Sequence, residues 1–419
     1  MQRVAPIEPG TGILDVEAVR RQFPLLNERI GGRPLCYLDN AATSHMPLSV
    51  LDAMDDCYRH HYGPIHRGLY PLAEDATRRY EQARATVARF IGSPSAERLI
   101  FTRSATEAIN LVAAGWAQPR LRPGDAVWVS RMEHHSNFLP WQWVCQRTGA
   151  RLRMIELRLD GSLDFESAAD LYGPRTRLIA LSHVSNVLGV VNPIRAVVEK
   201  ARAHGIPVLV DAAQSMAHIP VDVVELGCDF LAFSAHKMCG PTGIGALYAK
   251  PEHLDVMEPW LVGGGMVDEV GELRSNWAPH PAKFEAGSPN LAGAVGFAAA
   301  VDFLSGVGME RVHGHVHALT QQALRALTGI SGVQIYGSSD TTQRAGIIAF
   351  NVTCIHAHDL AQLLAERGVA IRAGHHCCQP LMRHLGVPAT ARASFALYNR
   401  PEDVNAFIEA VQWARQQLV

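Results

Sequence analysis

Residues 207–249 read PVLVDAAQSMAHIPVDVVELGCDFLAFSAHKMCGPTGIGALYA, and this stretch decides the fold. It holds three short apolar runs, Pro207–Asp211, Asp229–Ser234 and Ile244–Ala249. Each is too short for a helix and reads as a strand buried on both faces. The first two are separated by a segment long enough for a crossover, so they lie parallel. The third follows its predecessor after only a Gly-Pro-Thr-Gly turn region and therefore runs in reverse. Working outward, similar runs recur at Arg98–Thr102, Ala126–Ser130, Leu152–Leu157 and Arg177–Ser182. Segments of helical period lie between them, such as Ile194–His204, which stops at Gly205. The expectation is an α/β fold with a seven-stranded, mostly parallel sheet flanked by helices, six strands parallel and one reversed.

After residue 295 the pattern changes to longer helices, Gly296–Leu304, Arg311–Leu327 and Pro401–Gln417. Strand candidates there are Gly346–Val352 and Ala393–Leu397. The expected organisation is a large domain over 31–295 and a smaller α+β domain over 296–419. Residues 1–30 form an N-terminal segment that packs on the smaller domain.

The chain has 419 residues, 38 Lys and Arg against 40 Asp and Glu, and no run of five like charges. That balance argues against a nucleic-acid or membrane-surface protein. Eight cysteines with no C-x2-C pair support neither a disulfide scaffold nor a structural zinc site. The N-terminal MQRVAPIEPG lacks the apolar core of a signal peptide. The most apolar stretch, Leu291–Val307, is interrupted by Gly, Asp and Ser and falls short of a membrane span. A cytoplasmic, soluble protein is expected.

Ligands in parallel α/β sheets bind outside the carboxyl ends of the strands. Polar residues collect at those ends here: Glu133, His134 and His135; His183, Ser185 and Asn186; Asp211 and Gln214; Ser234, His236 and Lys237. Each has a bland reading alone, Asp211 as a helix cap, Lys237 as a surface lysine, the histidines as bonded loop residues. Four strands delivering such groups to one rim mark a site. A carboxylate and a lysine on neighbouring strand ends match the needs of pyridoxal phosphate. The lysine forms a Schiff base with its aldehyde, and the carboxylate keeps its pyridine nitrogen protonated. Ser104 and Glu107 fit a capping box, and the same helix start near Thr106 can hold a phosphate. No glycine-rich nucleotide fingerprint is present.

A second cluster, Arg372-Ala-Gly-His-His-Cys-Cys-Gln-Pro380, reads as a loop. Four consecutive ligand-type residues, His375–Cys378, converge poorly on one metal ion, so no metal is expected. A reactive thiolate on a mobile loop beside two imidazoles fits the pattern.

Asp211-Ala-Ala-Gln214, Ser234-Ala-His-Lys237 and Arg372-Ala-Gly-His-His-Cys377 together resemble the cysteine desulfurases of the class V aminotransferase group, in their type II, Suf-like branch. Tyr37-Leu-Asp-Asn-Ala-Ala42, His66-Arg67-Gly68, Met132-Glu-His-His135, His183-Val-Ser-Asn186, Phe284-Glu-Ala-Gly-Ser288 and Arg392-Ala-Ser394 extend the likeness from about Tyr37 to the end. The resemblance implies the fold type I architecture of pyridoxal-phosphate enzymes. It also implies that Lys237 carries the cofactor and moves the α-proton. Asp211 meets the pyridine nitrogen, Gln214 the phenolic oxygen, and His134 stacks on the ring and serves catalysis. Thr106, Ser234 and His236 hold the phosphate, with Ser288 arriving from a neighbouring subunit of a homodimer. Arg392, with Asn186, Arg372, His66 and Arg67, is assigned to the substrate, and Cys377 is the nucleophile.

The implied reaction turns L-cysteine into L-alanine through a persulfide on Cys377, for delivery to a Suf-type acceptor protein and iron–sulfur cluster assembly. The alternative on the same scaffold is a selenocysteine lyase or cysteine sulfinate desulfinase. An aminotransferase or epimerase fits less well because of Cys377, and a non-catalytic scaffold because of Lys237. Ser288 stands where a Thr is common, and Cys378 is expected to be a bystander.

Overall fold

The computed structural model describes residues 14–418. Seven strands build the central sheet: β1 (Leu99–Thr102), β2 (Ala126–Ser130), β3 (Arg151–Leu157), β4 (Thr176–Ser182), β5 (Val208–Asp211), β6 (Phe230–Ser234) and β7 (Gly245–Ala249). Their order is β1-β7-β6-β5-β4-β2-β3. Six run parallel, and β7 lies antiparallel to both β6 and β1. The reversal has the expected cause: Gly243 turns the chain at φ +74° with no room for a crossover. A two-residue edge strand, Leu163–Asp164, antiparallel to β3, brings the sheet to eight strands rather than the expected seven. Every residue of β2, β5, β6 and β7 is buried, as strands covered on both faces require.

The smaller sheet is antiparallel: Val333–Tyr336, Ile347–Val352, Thr390–Ser394 and Arg372–Gly374, in that order. Two expectations shift here. The strand placed at Ala393–Leu397 starts three residues earlier, at Thr390. Arg372–Gly374, read as loop, is a strand because it pairs with Thr390–Ser394, a partner distant in sequence. The expected helices form as Leu291–Val307, Met309–Thr328 and Pro401–Leu418, and Ala357–Glu366 and Gln379–Leu385 are two more that the sequence pattern did not reveal.

Leu291–Val307 starts at Asn290, whose side chain accepts from Gly293 N. It crosses residues 295–296 without a break and packs against Leu48–His60 and Pro71–Phe90. Among the described residues no single helix is long and apolar enough to cross a membrane. This helix meets the next at 76°, and most of its apolar side chains are buried within the protein.

Residues 1–13 of the expected N-terminal segment lie outside the described residues. Beyond them, Phe23 packs on Phe303 and Tyr398, and Arg20 pairs with Asp403 at 3.3 Å. Residues 36–44 cross from one sheet to the other. Cys36–Tyr37 pairs in parallel with Val369–Ala370, and Thr43 and Ser44 donate side-chain hydrogen bonds to His236 O.

Candidate active site

The carboxyl ends of β2, β4, β5 and β6 open into one cavity of about 200 Å³. Thr106, His134, Asn186, Asp211, Gln214, Ser234, His236, Lys237, Arg372, Cys377 and Arg392 all line it. His66, Arg67 and Ser288 do not. They gather instead in a separate cleft of about 560 Å³.

Asp211 ends β5, 6% exposed, with Oδ1 accepting from Ala213 N at 2.9 Å. Lys237 ends the tight turn after β6. That turn demands Gly240, since a Cβ there would meet Ala235 Cβ at 2.8 Å. Burial raises the Asp211 pKa and lowers that of Lys237, each opposed in part by the other's charge. The outcome is a lysine amine ready to act as a nucleophile or base. His134 accepts from Ser136 N at Nδ1, 3.1 Å, which leaves its proton on Nε2. Burial first, then the Lys237 charge, holds its pKa near 3, so the ring is neutral.

The opposite end of the cavity is a rim of hydroxyls. Ser234 Oγ accepts from Ala105 N at 2.8 Å, Thr106 Oγ1 meets Ser136 Oγ at 2.7 Å, and His236 Nδ1 faces Thr43 Oγ1 at 3.2 Å. Burial and Lys237 lower the His236 pKa to about 4. The expected capping box does not form. Glu107 accepts from Arg103 N, one residue before the expected partner, and the Ser104 side chain makes no cap. Gln214 Nε2 donates to Ala41 O at 2.8 Å.

The Cys377 turn is held rather than loose. His376 and Cys377 have φ of +51° and +55°, a left-handed conformation costing about 1–2 kcal/mol per residue. Bonds from four sides fix it: Asn186 Nδ2 to His376 O at 2.9 Å, His135 N to Cys377 O at 2.7 Å, Cys378 N to His375 O at 2.8 Å, and His376 Nε2 to Thr390 O at 2.9 Å. In place of the expected loop, a strand, Arg372–Gly374, leads into this hydrogen-bonded turn. The expected activation by imidazoles also changes, because burial lowers the His376 pKa to about 3 and leaves that ring uncharged. The lasting positive charges around the cavity belong to Arg372 and Arg392. Cys378 is fully buried and donates to Asn186 Oδ1 at 3.1 Å, and burial raises its pKa. Asn186, expected at the substrate, thus commits its amide to the Cys377 turn while still lining the cavity.

The sequence places Glu133 among the polar residues at the strand ends, but nothing in Met132-Glu-His-His135 signals its burial. Fully buried beside the cavity, it accepts from Ser130 Oγ, Asn137 Nδ2 at 2.7 Å and Ser182 N at 2.9 Å. It ties the end of β2 to the end of β4 and so fixes where His134 emerges. Burial outweighs these donors and raises its pKa from 4.5 to about 7. The folded state therefore binds the Glu133 proton between pH 4.5 and 7 while the unfolded chain has released it. Stability falls as pH rises through that window, by roughly 3 kcal/mol. Urea midpoints at about pH 5 and pH 8 should show this slope in the wild type and lose it in Glu133→Gln.

The Aminotransferase class-V family profile matches residues 36–407. A relative from Halalkalibacterium halodurans, named "Probable cysteine desulfurase", is 47% identical over 403 residues, covering 96% of this chain and 98% of its own. The cysteine desulfurase of Haloferax volcanii is 46% identical, covering 96% and 97%. The chain belongs to the cysteine desulfurase family. The crystal structure of the cysteine desulfurase CsdA from Escherichia coli superposes with a TM-score of 0.90 at 40% identity, over 97% of this chain and 100% of its own.

Cysteine desulfurases of this family depend on pyridoxal phosphate, and the residues present fit that group. A buried carboxylate stands where a pyridine nitrogen needs one, a lysine of lowered pKa can meet the aldehyde, and a neutral imidazole can lie on the ring. Asp211, Lys237 and His134 would hold the ring, and Ser234, His236 and Thr106 the phosphate. Bound there, the cofactor takes up the electron pair released when a Cα bond breaks.

Proposed function

We propose that this cysteine desulfurase converts L-cysteine to L-alanine, holds the released sulfur as a persulfide on Cys377, and passes it to an acceptor protein of the Suf type for iron–sulfur cluster assembly. One observation carries the reading: Cys377, Lys237, Asp211 and Arg392 open onto the same small cavity. Arg392 receives the substrate carboxylate, for which a planar guanidinium suits better than an ammonium. Lys237 Nζ accepts the α-proton and returns it. The thiolate of Cys377 attacks the substrate sulfur, so that a sulfur–sulfur bond forms as the carbon–sulfur bond breaks. His134, with its proton on Nε2, is placed to donate a hydrogen bond at the reacting sulfur.

The expected domain division fits this reading, since Lys237, Asp211 and His134 precede residue 295 while Cys377 and Arg392 follow 296. A homodimer completes the site. His66, Arg67 and Ser288 share a cleft apart from the cavity of their own chain, and a second copy would bring Ser288 to the phosphate. We place the reaction in the cytoplasm.

Purified holoenzyme given L-cysteine and a thiol reductant should form alanine and sulfide in equal amounts and sediment as a dimer. An active monomer would contradict the dimer, and absence of alanine would contradict the reaction.

A further inference from the structure

Residues 40–44 have no role in the reaction as set out above, yet they close over the turn that carries Lys237. Within that turn Met238 N and Gly240 N both donate to Ala235 O at 2.9 Å. Two of its other backbone groups, His236 O and Cys239 N, bond outside the turn, and both reach Ser44. Ser44 Oγ accepts from Cys239 N at 2.8 Å and donates to His236 O at 3.1 Å, and Ser44 N donates to the same carbonyl at 2.9 Å. One buried hydroxyl thus spans the residue before Lys237 and the second residue after it. The bridge has strain to hold. Cys239 sits at φ +64°, a left-handed conformation that few residues other than glycine adopt. Thr43 Oγ1 donates to His236 O too, at 3.0 Å, so that carbonyl keeps donors without the Ser44 hydroxyl. Among the described residues Cys239 N has Ser44 Oγ alone. The segment is anchored away from the turn as well. Ala41 N donates to Ser394 Oγ at 2.8 Å, two residues past Arg392, and Ala41 O accepts from Gln214 Nε2 at 2.8 Å.

We propose that Ser44 is a positioning residue for the reaction, its hydroxyl fixing the turn so that the Lys237 amine stays inside the cavity with Asp211. This rests on the reading that Lys237 holds the cofactor and moves the α-proton. Ala41 and Ala42 line the cavity and Ser44 does not, so Ser44 acts only through where Lys237 sits. Held there, the amine is desolvated, and burial lowers its pKa. With the bridge gone, Cys239 relaxes from its left-handed conformation and the lysine backbone turns with it. The amine then gains water and keeps its proton to higher pH. A neutral amine becomes scarcer near pH 7, both for meeting an aldehyde and for accepting a proton. Substrate binding at Arg392 is untouched, so the loss falls on kcat. A serine that only pinned residues 40–44 to the sheet would change stability and leave the titration of the lysine where it was.

The test compares wild type, Ser44→Ala, Ser44→Cys and Ser44→Thr. Full-length enzyme stripped of its cofactor is given pyridoxal phosphate across a range of pH, and the cofactor that borohydride fixes to Lys237 is measured by peptide mapping. Ser44→Ala should move the midpoint of that uptake up by about one pH unit. Its holoenzyme should lose about tenfold in kcat with L-cysteine near pH 7, with KM within about twofold of wild type. Ser44→Cys is close to serine in size but a weak hydrogen-bond acceptor. It should shift the midpoint in the same direction, which tests the idea even if Ser44→Ala does not fold. Ser44→Thr keeps the hydroxyl and should keep the wild-type midpoint and a kcat within about twofold of wild type. An unchanged midpoint in Ser44→Ala or Ser44→Cys, with only a lower melting temperature, would overturn the proposal. So would a loss of kcat in Ser44→Thr equal to that in Ser44→Ala, or a loss in Ser44→Ala that falls on KM alone. If wild type makes no alanine from L-cysteine, the proposed function fails by itself. The uptake midpoint, which needs no substrate, then decides the role of Ser44 by the same criteria.

Discussion

Cys377→Ala should lose alanine formation from L-cysteine by about a thousandfold or more while keeping its cofactor and fold. Among the described residues Cys377 supplies the only thiol that lines the cavity, and the next residue does not replace it. The Cys378 thiol is buried, engaged with Asn186, and its pKa is raised by burial. A protonated thiol is a poor nucleophile. Alanine smaller than cysteine at 377 adds no bulk to the turn, which the bonds at His376 O and Cys377 O still hold. Assayed on L-selenocysteine, the variant should retain much of its activity, since selenium elimination leans less on an attacking thiol. Alanine from L-cysteine at the wild-type rate would remove Cys377 from the mechanism. Poor wild-type activity on cysteine with strong activity on selenocysteine would point to a lyase on the same scaffold.

Lys237→Ala should be the second severe variant. Loss of a positioned group for proton transfer costs about 10²–10⁴-fold, and the covalent tie to the cofactor goes with it. The cavity around residue 237 is built from β5, β6 and the Ser104–Thr106 rim, so an alanine leaves a small void but no clash. The variant should bind pyridoxal phosphate more weakly, with an absorbance that borohydride no longer fixes. A small amine such as methylamine should restore part of the turnover, because the void accepts it. Full activity without an added amine would show that another group moves the α-proton.

Much of this site was legible because parallel strands bury both faces and expose only their ends. In residues 207–249 the apolar runs leave Asp211, Ser234, His236 and Lys237 as the polar residues at strand ends, and the structure gathers all four at one cavity. What escaped the reading depends on partners distant in sequence. Arg372–Gly374 becomes a strand only against Thr390–Ser394, and Asn186 meets the Cys377 turn across 190 residues. The Ser104 side chain makes no cap, while Ala105 N is bonded by Ser234 Oγ from the distant end of β6. The burial of Glu133 follows from β2 and β4 closing over it, which no local pattern reveals. His66, Arg67 and Ser288 carry a different lesson: their motifs are recognisable, but one chain folds them into a cleft of their own, away from the cavity that holds Lys237.

The central claim is that sulfur leaves the substrate on Cys377. Mass spectrometry of the peptide spanning Arg372–Gln379 tests it most directly, after one equivalent of L-cysteine is given to holoenzyme with no reductant present. The account predicts one added sulfur atom on Cys377, none on Cys378, and one alanine per sulfur. Alanine formed with no sulfur on Cys377, or with the sulfur on Cys378, would contradict it.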